Sequence, residues 1–139
     1  MTPSIIIDGS ITMAWCFADE ATVETARVQD LLIAEAALVP SHWFLEVINV
    51  LAMAEKRKRI AAADATSFLH LLAALDIRTD HDTSTRAFDN LLPLYRSHGL
   101  TSYAAAYLDL AIQRRLPLAS LDDDLRQAAI RLGIQVLGK

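Results

Sequence analysis

The run Ser4-Ile5-Ile6-Ile7-Asp8 constrains this chain most. Three consecutive β-branched apolar residues do not alternate between an inner and an outer face, so the strand they form is covered on both sides. Such a strand belongs in a mostly parallel sheet packed between helices. An acid just past its carboxyl end stands where open α/β sheets bind their ligands.

The remaining pattern agrees. Short apolar runs predict further strands at 37–39, 76–79, 116–121 and 134–137, with helices at 10–18, 21–35, 41–58, 62–75, 83–98, 101–115 and 122–132. Val23, Ala26, Val28 and Leu31 mark the second helix. Ser41 is a plausible N-cap for the third, with Leu45, Ile48 and Ala52 as its apolar stripe. Asp64, Phe68, Leu71, Leu72 and Leu75 follow in helical spacing. Pro40 stops the second strand, Pro93 is expected to kink or break its helix, and Gly133 ends the last one. Every crossover between strands holds a helix. The expected fold is therefore α/β: one domain over residues 1–139, a mostly parallel sheet of about five short strands, and helices on both faces.

Composition narrows the function. With 139 residues, 53% hydrophobic and 22% charged, the chain can bury a core and is not disordered. No apolar run approaches the ~18 residues of a membrane span. The start lacks a basic segment and is interrupted by Asp8, so no signal peptide is expected. The single cysteine, Cys16, reads as a small core residue and fits a reducing, cytoplasmic setting. A net charge of −4 supplies no global field for nucleic acid, so a nucleic-acid role needs a local basic patch.

Three acids fall at the carboxyl edge of the predicted sheet. Asp8 follows the first strand, Asp122 follows the run ending at Leu121, and Glu46 lies about one turn into the helix after the second strand. Each has a plain reading: Asp8-Gly9-Ser10 as a turn with a cap, Asp122 with Asp123 and Asp124 as an N-cap, Glu46 as a solvated helix residue. Their convergence favours a site, because three carboxylates in one cleft repel unless a cation joins them, and hard oxygen ligands suit Mg²⁺ or Mn²⁺. Asn49, on the helical face of Glu46, is a candidate to orient it.

Other chemistries lack their motifs. Neither a dinucleotide-binding nor a P-loop glycine pattern is present, and there is no esterase elbow. His42, His70, His81 and His98 lack zinc-ligand spacing and read as surface or cap histidines. A haloacid-type phosphatase needs a second carboxylate where Ser10 stands, and a receiver domain wants its acceptor after the third strand, where Thr79-Asp80 is a poor context. The run Lys56-Arg57-Lys58-Arg59 is either a favourable helix C-terminus or a phosphate-contacting patch, and Arg114-Arg115 has the same two readings.

Taken in order, four segments resemble the PIN-domain ribonucleases of the VapC toxin type. They are Ile5-Ile6-Ile7-Asp8-Gly9-Ser10 with Ala14-Trp15 and Asp19-Glu20, then Pro40 to Leu51, Leu100 to Leu108, and Leu118 to Asp122. The resemblance implies a Mg²⁺- or Mn²⁺-dependent endoribonuclease with Asp8, Glu46 and Asp122 as catalytic, metal-holding acids. Ser10 and Ser120 stand at family hydroxyl positions, suited to holding a ligand carboxylate or a water. Homodimerisation and neutralisation by an antitoxin protein, in a toxin–antitoxin assembly, are likewise implied. One position departs: Ala104 stands where the family has another acid, which implies an impaired enzyme or, alternatively, a binding module that keeps the antitoxin and dimer surfaces. In residues alone, Thr101 to Ala104 is a capping box without its carboxylate.

Overall fold

Ile5, Ile6 and Ile7 are buried on both faces of strand β1 (Pro3–Ile7), and β2 (Ala36–Pro40) is buried along its whole length. The structure, a computed structural model, describes residues 2–139; Met1 lies outside them. The sheet continues with β3 (Ile77–Asp80), β4 (Leu118–Ala119) and β5 (Val136–Leu137) in the order β3-β2-β1-β4-β5, every neighbour parallel.

Helices make every connection: α1 (Gly9–Ala14) and α2 (Val23–Leu31), then α3 (Trp43–Lys56) and α4 (Ala62–Ala74), then α5 (Thr83–His98) and α6 (Ser102–Arg114), and finally α7 (Asp123–Arg131). The chain steps from β1 to β2 to β3, then returns past β1 to β4 and β5. With right-handed crossovers, the helices after β1 and β2 cover one face and those after β3 and β4 the other. Strand order thus reverses between β1 and β4, which opens a crevice beyond their carboxyl ends. Asp8 seals that junction from below by donating its amide to the Ala119 carbonyl at 3.2 Å.

Helix α3 is tied to this crevice by Trp43. Its buried indole N–H donates to Thr12 Oγ1 at 3.0 Å, and the Thr12 hydroxyl donates to the Asp8 carbonyl at 2.7 Å. Each such bond contributes about 1 kcal/mol net, but both are directional, so they set where the next turn of α3 points. That turn carries Glu46.

Several expectations change in detail. The buried face of α3 is Trp43, Val47, Leu51 and Ala54, while Leu45 is 73% exposed and Ile48 and Ala52 also face outward. This helix is apolar nearly all round, so spacing alone offers two stripes and the Trp43 anchor selects one. His42, not Ser41, is the N-cap residue. In α2, Val23 and Leu31 are exposed, and Thr25 and Val28 turn inward. Helix α5 runs through Pro93 without a break. Pro93 costs the amide bond to Asp89, but both residues lie on the exposed side, where water takes the freed carbonyl. Among the described residues no helix is long and apolar enough to cross a membrane.

Candidate active site

Asp8 is the best-held acid of the crevice. As N-cap of α1 it is almost fully buried, and its Oδ1 accepts the Ser10 hydroxyl at 2.6 Å and the Ile11 amide at 3.0 Å. The buried Ser120 hydroxyl donates to Oδ2. Ser10 and Ser120 in turn accept the Leu121 and Asp122 amides at 2.8 and 3.0 Å, which locks the β4–α7 turn onto β1. Burial pushes the Asp8 carboxyl above its ordinary value. The two hydroxyls and the Ile11 amide pull it back, and the nearby Glu46 charge adds to the rise.

Glu46 reaches the same cleft from α3. Its Oε1 accepts the Tyr107 hydroxyl at 3.2 Å, and His42 Nε2 stands 2.9 Å from the same oxygen. Tyr107, on α6, is buried, and burial together with the Glu46 and Asp8 charges drives its hydroxyl far above the ordinary tyrosine value. It therefore keeps its proton and serves as a fixed hydrogen-bond donor.

Asp122 enters from the start of α7. Its Oδ1 accepts the Asp124 and Leu125 amides at 3.0 and 3.3 Å, so the capping predicted for it is present. Asp8, Glu46 and Asp122 line one cleft of about 560 Å³ with Ser10, Asn49 and Ala104, and no lysine or arginine lines it. Asn49 is exposed, and the hydrogen bond to Glu46 comes from Tyr107 instead. Ala104 occupies the first turn of α6, where its amide donates to Thr101 Oγ1 at 3.2 Å and its methyl faces the cleft.

The three carboxylates suit a hard divalent cation in kind: oxygen donors, net negative, with no lysine or arginine beside them. It is not a finished chelate. Among the described residues no three His, Cys, Asp or Glu side chains stand close enough to hold an ion together.

The basic run lies elsewhere. Lys56 is ten residues past Glu46, about 15 Å along the helix axis. Arg59 pairs with Asp19 and Glu20 at 2.8 and 2.9 Å and lies 3.8 Å over the Phe17 ring. Asp80 is closed off as well: it accepts Thr83, Arg86 and, more weakly, Arg114. A receiver-type acceptor role is thereby removed.

A model of the PIN domain matches residues 5–131. The chain belongs to the PIN domain family. Among solved structures this PIN domain is similar to PAE2754 from Pyrobaculum aerophilum at 20% identity, over 96% of this chain and 83% of that one, with a TM-score of 0.70. It is similar to Mycobacterium tuberculosis VapC20, described as a sarcin-ricin loop cleaving toxin, at 14% identity over 90% and 95% of the two chains, TM-score 0.60. VapBC2 from Rickettsia felis, bound to a promoter DNA fragment, matches at 11% identity over 95% and 96%, TM-score 0.61. At these identities the likeness is one of fold. Among curated protein sequences none matches significantly.

Three parts of the site escape the sequence reading. His42 reads as a surface or cap residue; it has the capping position, yet its ring packs on Tyr103 and Tyr107 inside the cleft. Its i, i+4 spacing to Glu46 is a readable signal. Tyr107 and Gly9 carry no signal of their own.

Proposed function

We propose that this PIN domain is a divalent-metal-dependent endoribonuclease, the toxin of a toxin–antitoxin pair, hydrolysing RNA phosphodiester bonds. One observation carries the reading: carboxylates from three separate elements, Asp8, Glu46 and Asp122, line one cleft at the switch point of a parallel sheet with no lysine or arginine among them. Mg²⁺ or Mn²⁺ held by these acids would supply charge neutralisation and an activated water for in-line displacement at phosphorus. Ser10 and Ser120 keep the Asp8 carboxylate oriented at the buried floor of the crevice. The family supports nuclease chemistry, and several neighbours in fold are toxins or toxin–antitoxin complexes.

An antitoxin protein and a second copy of the chain are the proposed partners, in the cytoplasm. Helix α5 supports a protein partner, since no residue of it is fully buried and it displays Phe88, 96% exposed, with Leu92 and Tyr95 on the same stripe. Lys56, Arg57 and Lys58 are proposed to touch the RNA backbone, with Arg59 restrained by its acidic partners.

Ala104 favours a second reading. A methyl faces the cleft where the family has an acid, so the chain as it stands is an impaired enzyme or a binding module. Loss of even an indirect ligand contact typically costs ~10–100-fold in metal affinity or activity. The deciding experiment is RNA cleavage by the purified chain and by Ala104→Asp, each in Mg²⁺ and Mn²⁺. Weak cleavage that the substitution restores supports an impaired nuclease. Strong cleavage by the unaltered chain shows that three acids suffice, and no cleavage by either overturns the nuclease reading.

A further inference from the structure

Gly9 occupies the first position of α1, where any residue fits the backbone: the left-handed glycines are 99, 133 and 138. Glycine at a helical position is disfavoured against alanine, so its presence asks for a local cause. The cause lies across the cleft. A Cβ on Gly9 would stand 2.7 Å from Glu46 Oε2, closer than real atoms approach.

The other oxygen of Glu46 is also fixed. Tyr107 donates to Oε1 from α6, while His42 Nε2, though 2.9 Å away, is too poorly aligned to bond and is left without a partner. A glutamate carries three rotatable bonds, and nothing on α3 itself restrains its end. Tyr107 holds it by attraction at Oε1, and Gly9, whose backbone lies beside the same Tyr107 hydroxyl, leaves room at Oε2.

We propose that Tyr107 and Gly9 are positioning residues for Glu46, Tyr107 through its hydroxyl bond to Oε1 and Gly9 through the missing Cβ beside Oε2. The functional consequence rests on the metal-dependent reading above; the contacts themselves do not. Displacing the carboxylate from either side would leave the fold intact and spoil a site that demands placement within about 0.5 Å.

A double-mutant cycle on the metal-free chain tests the contacts, using Gly9→Ala, Tyr107→Phe and the pair, each followed by thermal unfolding. With Tyr107 present, the added methyl must push against a tethered carboxylate, so Gly9→Ala lowers Tm. In the Tyr107→Phe background the carboxylate is free to swing aside, so the methyl costs less and the two shifts do not add. Additive shifts, or a Tm that rises in Gly9→Ala as helix preference alone dictates, would overturn the proposal. The positioning role is read separately by Mn²⁺ titration in an Ala104→Asp background, where Tyr107→Phe should weaken affinity about tenfold. Unchanged affinity beside a coupled cycle overturns the positioning role and leaves the nuclease reading standing. No Mn²⁺ binding even with Tyr107 and Gly9 intact overturns both.

Discussion

Arg86 Nε donates to Asp109 Oδ2 at 2.8 Å while its Nη2 donates to Asp80 Oδ2 at 3.1 Å. One guanidinium on α5 thus joins the end of β3 to the middle of α6, and Asn90 adds a bond to Asp109 at 3.0 Å. Both carboxylates are almost fully buried, so removing their shared cation leaves Asp109 with neutral partners alone and Asp80 with only the more distant Arg114. Arg86→Met is expected to lose about 3 kcal/mol in urea denaturation. A loss near zero would mean that water replaces the guanidinium.

The same network sets an acid limit. Burial pushes the Asp80 carboxyl up, but Thr83, Arg86 and Arg114 together outweigh it and hold the group below its ordinary 3.8. A depressed folded value adds stability above the unfolded one, and that stability is lost as pH falls through the folded value. Asp80→Asn should therefore be less stable than the native chain at neutral pH. The gap should close below pH 3.8, where the native carboxyl takes up its proton. Equal differences at both ends of the range would rule this out.

Asp8 should show the opposite balance. Its charge is buried among hydroxyls and one amide with no cation, so the ionised side chain burdens the free fold. Asp8→Asn is expected to raise stability at neutral pH by about 1 kcal/mol while abolishing Mn²⁺ binding, a trade common at functional sites. Calorimetric unfolding and Mn²⁺ titration of the same sample read both halves.

The basic run divides in two. Neutralising Lys56, Arg57 and Lys58 should flatten the salt dependence of RNA binding by roughly one unit per lost phosphate contact. Arg59→Ala should leave that slope nearly unchanged and loosen the packing of Phe17 instead, because its guanidinium is already engaged. A slope change as large as for its neighbours would place Arg59 on the RNA.

Phe88→Ser removes the most exposed aromatic of α5 without touching the core. If the chain is monomeric, its Tm stays within a degree or two of the parent; if two copies meet there, the parent's Tm falls with dilution while that of Phe88→Ser is lower and independent of concentration. Sedimentation of the parent and the variant at matched concentration decides between them.

Much of the fold is legible in the sequence because β1 and β2 are buried on both faces and read as unbroken apolar runs. Asp8 and Asp122 follow directly from strand ends. What stays hidden depends on partners far away in sequence. The stripe of α3 is ambiguous until Trp43 finds Thr12, 31 residues earlier. The Arg86 link between Asp80 and Asp109 is hidden too, because Asp109 lies 23 residues beyond Arg86 on another helix. Gly9 is understandable only once Glu46, on another element, is in place.

Asp122 spends one oxygen on two backbone amides and leaves the other to the cleft. An ion captured by Oδ2 would draw electron density from the same carboxylate that starts α7, so cation uptake and the winding of that helix's first turn are in competition. Amide hydrogen exchange at Asp124 and Leu125 should then quicken as the ion is taken up. A ligand would report its arrival through the breathing of the helix whose cap it borrows.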